Sequence, residues 1–207
     1  MSKTIITPAE RALPSAIISN TFIRLRSTQH ADLTVFHART EEVRVSLNWG
    51  GLLMTFRNAE AAQGVREALA AAKATLVHLP VDLGAPQPSD EDPYDRPTIA
   101  IDWTRRPSYG VMERSTLTPD NRRTLRWTDV YLGTLTLQIL DRAAYHSTMD
   151  ILKLAHQTAV AVCLDGGKHR ADPTRDDYQF AVKPRTTRRE RGRAYRDWDA
   201  AQHQSTE

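Results

Sequence analysis

Arginine is the residue type with the most chemistry to offer in this chain, which holds 23 arginines but only 5 lysines among 207 residues. A guanidinium grips phosphate through a planar fork and stacks on bases, which an ammonium does poorly. A coding bias toward arginine, in keeping with the many alanines, gives the same count, so the arrangement has to decide. In residues 21–27, Arg24 and Arg26 alternate with Ile23 and Leu25. In residues 43–49, Arg44, Ser46 and Asn48 alternate with Val43, Val45, Leu47 and Trp49, and Arg57 closes the next apolar run. These side chains are expected on one sheet face that could follow a phosphate backbone, although a plain solvated face has the same pattern. Arg105, Arg106 and Arg126 are the candidates of the second half. The stretch 183–193 adds Lys183, Arg185, Arg188, Arg189, Arg191 and Arg193 against the single acid Glu190, with Tyr195 and Trp198 following. Such an arm binds phosphates by counterion release, and a solubilising terminus has the same composition.

A single-strand binder also needs aromatic rings on which bases stack. Trp49 and Trp103 run in phase with apolar neighbours and read as core. Trp127 and Tyr131 share a face with Asp129, which leaves their side open. Other reactive groupings are sparse. His146 and Asp150 lie one helical turn apart and share a face, enough to orient an imidazole or to offer two metal ligands, but no third ligand or nucleophile stands at a telling distance. His30, Asp32 and His37 span a turn and a strand without a metal-site spacing. Gly166-Gly167-Lys168 lacks the strand-to-helix setting and the Ser or Thr of a phosphate loop. Cys163 falls on an apolar helix stripe and reads as inert. The expectation is a non-enzymatic protein with no catalytic residue, no metal and no cofactor.

Composition bounds the classes. The formal charge is +3 with a pI near 9.2, too mild to prove a nucleic-acid partner, and mean hydropathy is −0.51. Collagen-like, coiled-coil and wholly disordered chains are excluded by an ordinary 40% hydrophobic and 26% charged content. No apolar run approaches the roughly 18 residues of a membrane span, so no membrane partner is expected. The first residues mix charges and prolines with short apolar pieces, unlike a signal peptide. A lone cysteine forbids an internal disulfide and fits a reducing cytoplasm.

These residues must be positioned by a mixed set of elements. Strands are expected at 21–27, 33–39, 43–49 and 52–57, the last two joined by a tight turn at Gly50-Gly51. Asn58 should cap a helix reaching to about residue 77, with Ala61, Val65, Ala68, Leu69, Ala72 and Leu76 as its apolar stripe. Gly64 interrupts that helix and marks a close approach to the sheet. The second half repeats the order: strands at 98–104, 109–117, 125–132 and 135–140, the last pair turning at Gly133. Asp141 then caps a helix from 142 to about 163, with Tyr145, Thr148, Met149, Leu152, Ala155, Ala159 and Cys163 on its stripe. A short strand at 178–182 would pin the tail to the body.

The fold class expected is α+β: two antiparallel four-stranded sheets, each followed by one helix, as a tandem ββββα repeat with a polar C-terminal tail. The segments are an N-terminal arm at 1–20, the first repeat at 21–79, a Pro/acidic linker at 80–97, the second repeat at 98–164 and the polar, basic tail at 165–207. Val45 and Trp127 stand 82 residues apart, and the two helix caps Asn58 and Asp141 stand 83 apart. Two ordinary hairpins that happen to precede helices would give the same spacing. In this order of elements, over residues 20–164, the chain resembles the Whirly family and the similar Pur-alpha repeat proteins. The resemblance is one of element order. The Lys-Gly-Lys-rich strand motif of plant Whirly proteins has no counterpart, so no site residue carries over. It implies a protein that binds single-stranded DNA or RNA on curved sheets and acts as a homo-oligomer. The alternative is a protein–protein interaction or assembly subunit built from the same unit.

Overall fold

A computed structural model describes residues 18–85, 98–118 and 122–180. Its elements follow in the order β1 (Thr21–Leu25), β2 (Asp32–Phe36), β3 (Arg44–Trp49), β4 (Leu52–Phe56), α1 (Ala59–Ala71), a 3-10 segment (Ala72–His78), β5 (Ile99–Trp103), β6 (Tyr109–Leu117), β7 (Thr124–Leu132), β8 (Leu135–Ile139) and α2 (Arg142–Val162). The class is mixed α+β, with two four-stranded sheets and two α-helices.

Local chemistry explains the elements. Strict alternation puts Val45, Leu47 and Trp49 of β3, with Leu52, Met54 and Phe56 of β4, on one buried face. Both tight hairpins turn through a glycine with positive φ, Gly50 at 57° and Gly133 at 60°, the backbone that two-residue primed turns require. Asn58 caps α1 by accepting from the Ala61 amide, and Asp141 caps α2 by accepting from the Ala144 amide. The helix expected to run to residue 77 is α-helical only to Ala71 and tightens into the 3-10 segment. β2 stops at Phe36 rather than residue 39, because His37 and Arg39 adopt left-handed backbone, with φ of 50° and 62°.

The sheets are not divided as the order of elements implied. Sheet I runs β1-β8-β7-β6 and sheet II runs β2-β3-β4-β5. Each therefore takes three consecutive strands from one half and the leading strand of the other. The exchanged strands pair in parallel, β1 along β8 and β5 along β4, so neither sheet is purely antiparallel. A parallel neighbour needs a crossover, and α1 lies in the connection that carries the chain from β4 to β5. The two helices pack on one another. α1 also touches β4, β6 and β7, and α2 touches β3 and β8, so each helix joins both sheets. The core lies where the inner sheet faces meet the two helices and includes all of the expected α1 stripe.

Gly64 serves a different neighbour from the one expected. A Cβ there would stand 2.6 Å from Cγ of Arg106 and 3.0 Å from Pro107, so the glycine admits the loop after β5 rather than a sheet. Of the short strand expected at 178–182, Tyr178, Gln179 and Phe180 form no strand, and 181–182 lie outside the described residues. Tyr178 holds its segment by donating a hydrogen bond of 2.6 Å to Glu67 of α1.

Candidate nucleic-acid interface

With both inner faces committed to the core, the outer faces are the broad surfaces left for a ligand. On sheet I the strand registers lay out three cross-strand rows. Phe22, Thr136, Tyr131 and Gly110 form the first; Arg24, Gln138, Asp129 and Met112 form the second; Trp127 and Arg114 form the third. Trp127 and Tyr131, whose side the sequence left open, therefore point outward. Trp49 is buried and Trp103 packs against the core, as their phase implied.

Asp129 organises this face. Only 3% exposed, it accepts from Trp127 Nε1 at 2.9 Å and Gln138 Nε2 at 3.1 Å through one oxygen, and from Arg114 Nε at 3.1 Å and the Tyr131 hydroxyl at 3.2 Å through the other. Arg114 also donates to the Tyr131 hydroxyl at 2.9 Å. A buried carboxylate is tolerated because these donors replace its water. Burial raises the Tyr131 pKa, with the hydrogen bond from Arg114 opposing it and the Asp129 charge adding to it. Burial works against the Arg114 charge, but Tyr131 and Asp129 outweigh it and its pKa rises. Arg24 completes the second row by donating to Gln138 Oε1 at 3.1 Å. The aromatic rings are thus held at fixed positions beside two guanidinium groups, with Phe22 58% exposed at the edge.

Sheet II presents a different outer face. Its rows are Phe36 with Arg44, then Thr34, Ser46, Thr55 and Asp102, then Asp32, Asn48, Leu53 and Ala100. The hydroxyls of Ser46 and Thr55 meet at 3.2 Å, and Arg57 forms a two-pronged pair with Asp102, 2.6 Å at its closest. A depression of about 390 Å³ lies over these groups and is also lined by Arg44 and Phe36.

The expected single arginine face is therefore split. Arg24 lies on sheet I because β1 pairs with β8, while Arg44 and Arg57 lie on sheet II. Arg26 falls beyond β1 and donates to the Leu83 carbonyl. Arg105 is exposed after β5, and Arg126 stands near the outer end of β7 with an Nη 3.3 Å from His78 Nδ1. Arg106 turns inward to the buried Glu67 and to Gln63. Lys183, Arg185, Arg188, Arg189, Arg191 and Arg193 lie outside the described residues.

Sequence reasoning missed the polar side of α1. Gln63, Arg66 and Glu67 are buried, although they lie off the apolar stripe. Glu67 accepts from Arg106, from the Tyr109 hydroxyl at 3.0 Å and from Tyr178. Burial, reinforced by Glu67, pushes Tyr109 up and Tyr178 up to about 12. Arg66 pairs with Asp172 at 2.7 Å and donates to His156 Nδ1 at 3.2 Å, while His156 Nε2 donates to the His169 carbonyl at 2.6 Å. Asp165 accepts from the first two amides of α1. These contacts dock the segment after α2 onto α1. The spacing of three and four residues was visible, but nothing local announces which strand or loop will cover it.

The remaining candidates separate. His146 and Asp150 are exposed on α2, and His30, Asp32 and His37 are exposed and spread along β2 and its approach. Among the described residues no group of three or more His, Cys, Asp or Glu side chains is placed to hold a metal. Cys163 is buried, and burial pushes its thiol up to about 11. No described helix is long and apolar enough to cross a membrane. No family model matches the chain, nor does any curated protein or solved structure.

Proposed function

We propose that this protein is a non-enzymatic nucleic-acid-binding protein that takes single-stranded DNA or RNA across the outer face of sheet I. One observation carries the reading: Phe22, Trp127 and Tyr131 face outward on the same sheet as Arg24 and Arg114. Rings offer stacking to any base, guanidinium groups offer contacts to phosphate, and the Asp129 network holds both in place before a ligand arrives. Arg24 also brings cationic reach to the edge where Phe22 is open.

Fluorescence anisotropy with short single-stranded DNA and RNA tests this. The expected result is salt-dependent binding tighter than about 10 µM that weakens when Trp127 is replaced by alanine. Absence of such binding, with and without residues 183–207, overturns it.

A second reading, assembly with copies of itself, draws on the edges. β1, β2 and β5 are short edge strands, with Phe22, Phe36 and Ile99 exposed on them. Size-exclusion chromatography with light scattering distinguishes a homo-oligomer from a monomer. A large oligomer indifferent to nucleic acid would favour this second reading over the first.

A further inference from the structure

The β6–β7 hairpin outgrows its sheet. Both strands span nine residues, but β8 pairs only with Thr128–Leu132 of β7. Beyond that point four registers, Arg114 with Trp127, Ser115 with Arg126, Thr116 with Leu125 and Leu117 with Thr124, form a two-stranded ribbon. The pairing continues past the strands, since the Thr118 amide donates to the Arg123 carbonyl at 2.8 Å. From Ser115 to Leu117 and from Thr124 to Arg126 every residue is exposed, whichever face it occupies. Leu117 and Leu125, on opposite faces, are 57% and 51% exposed. A ribbon wet on both sides gains little from the core and is marginal by itself.

Its charge is positive on balance. Arg122, Arg123 and Arg126 are exposed on the ribbon, and Asp120 is the one acidic residue in the sequence between Arg114 and Thr128. The four registers reach roughly 13 Å at about 3.3 Å per residue. A two-stranded ribbon fits the major groove of B-form DNA, about 12 Å wide, whereas the A-form major groove of RNA is too narrow to admit one. The outer side of the ribbon is also continuous with the face that carries Trp127 and Tyr131.

We infer that the β6–β7 ribbon is a second nucleic-acid contact that enters the major groove of duplex DNA, with Arg122, Arg123 and Arg126 on its phosphates, so that the protein holds a junction between single-stranded and duplex DNA. This rests on the single-strand reading for the sheet I face but engages different residues.

The test compares the full chain with R122A/R123A/R126A on three labelled probes: a single strand of about 20 nucleotides, a duplex of the same length (about two helical turns), and that duplex carrying a single-stranded overhang. The unaltered protein should bind the overhang probe at least about tenfold more tightly than the single strand. The triple variant should lose that preference, lose far less affinity for the single strand than for the overhang probe, and show a log-affinity against log-salt slope on the overhang probe shallower by about two to three. Circular dichroism and thermal unfolding establish that the variant is folded; R123E alone, one exposed change, is the second variant and should weaken overhang binding in the same direction. An overhang preference that is missing in the unaltered protein, or unchanged in both variants, overturns the ribbon contact. Duplex and overhang binding lost with the arginines, without any single-strand binding, keeps the ribbon and overturns the sheet I reading. An equal preference for duplex RNA overturns groove entry. Binding to none of the probes overturns both.

Discussion

The two outer sheet faces are built from similar topology but opposite chemistry. Each belongs to a sheet of three antiparallel strands and one borrowed parallel strand. On sheet I a buried carboxylate, Asp129, gathers a tryptophan, a tyrosine, an arginine and a glutamine. On sheet II the carboxylate is Asp102, 44% exposed, and it holds one arginine beside a pair of hydroxyls. Burial makes the difference. A buried acceptor forces its donors into one arrangement, because each would otherwise lose a partner where water cannot replace it. An exposed pair contributes little and leaves its neighbours free to choose water. A preorganised recognition surface is therefore expected on sheet I and a solvated one on sheet II.

The largest expected effect is on stability. Asp129→Ala should cost on the order of 3 kcal/mol, since it leaves several part-buried donors without an acceptor, whereas Asp102→Ala should cost under about 1 kcal/mol. Urea unfolding of the two variants reads the contrast directly; equal losses would erase the distinction between the faces.

Ligand affinity gives the next contrast. Trp127→Ala or Tyr131→Ala should weaken single-strand binding by about 1–3 kcal/mol each, while Phe36→Ala on sheet II should change it less than about twofold. Anisotropy titration of the three variants at one salt concentration decides which face the strand occupies.

A pH titration separates the faces from the interior. His156 is held neutral by burial, which lowers its pKa; its Nε2 proton goes to a carbonyl and its Nδ1 accepts from Arg66. The unfolded chain takes up this proton near 6.5 and the folded chain only below that. Stability is therefore full above about pH 6.5 and declines as pH falls through the window beneath it, by at most about 1.4 kcal/mol per pH unit. Unfolding measured down to about pH 5 should show this decline, and His156→Gln should flatten it. A decline that persists in the variant would move its origin elsewhere.

The smallest contrast lies in salt dependence. Arg24→Ala should reduce the salt slope of single-strand binding by about one, and Arg44→Ala should leave it unchanged. Equal changes would mean that the strand wraps both sheets.

Much of the local structure was legible from the chain. Alternation in 43–57 located the buried face of β3 and β4, and Asn58, Asp141, Gly50 and Gly133 marked the helix starts and turns. Pairing was not legible. Periodicity tells which way a side chain points but not which strand lies beside it, and Thr21–Leu25 finds its partner 114 residues away at Leu135–Ile139. That one fact removed Arg24 from the company of Arg44 and Arg57. The candidate site was half visible for a related reason. Trp127, Asp129 and Tyr131 could be seen to share a face, but which side of the sheet they occupied depended on where the helices packed.

The reciprocal loan of leading strands has a consequence for how this chain can be cut or inherited. Its halves are clasped rather than juxtaposed: dividing the polypeptide between Gly84 and Ile99 would leave each fragment with an outermost rib that belongs to the other. Neither piece is a portable module, and the two co-expressed should rejoin, each supplying the margin that closes its counterpart.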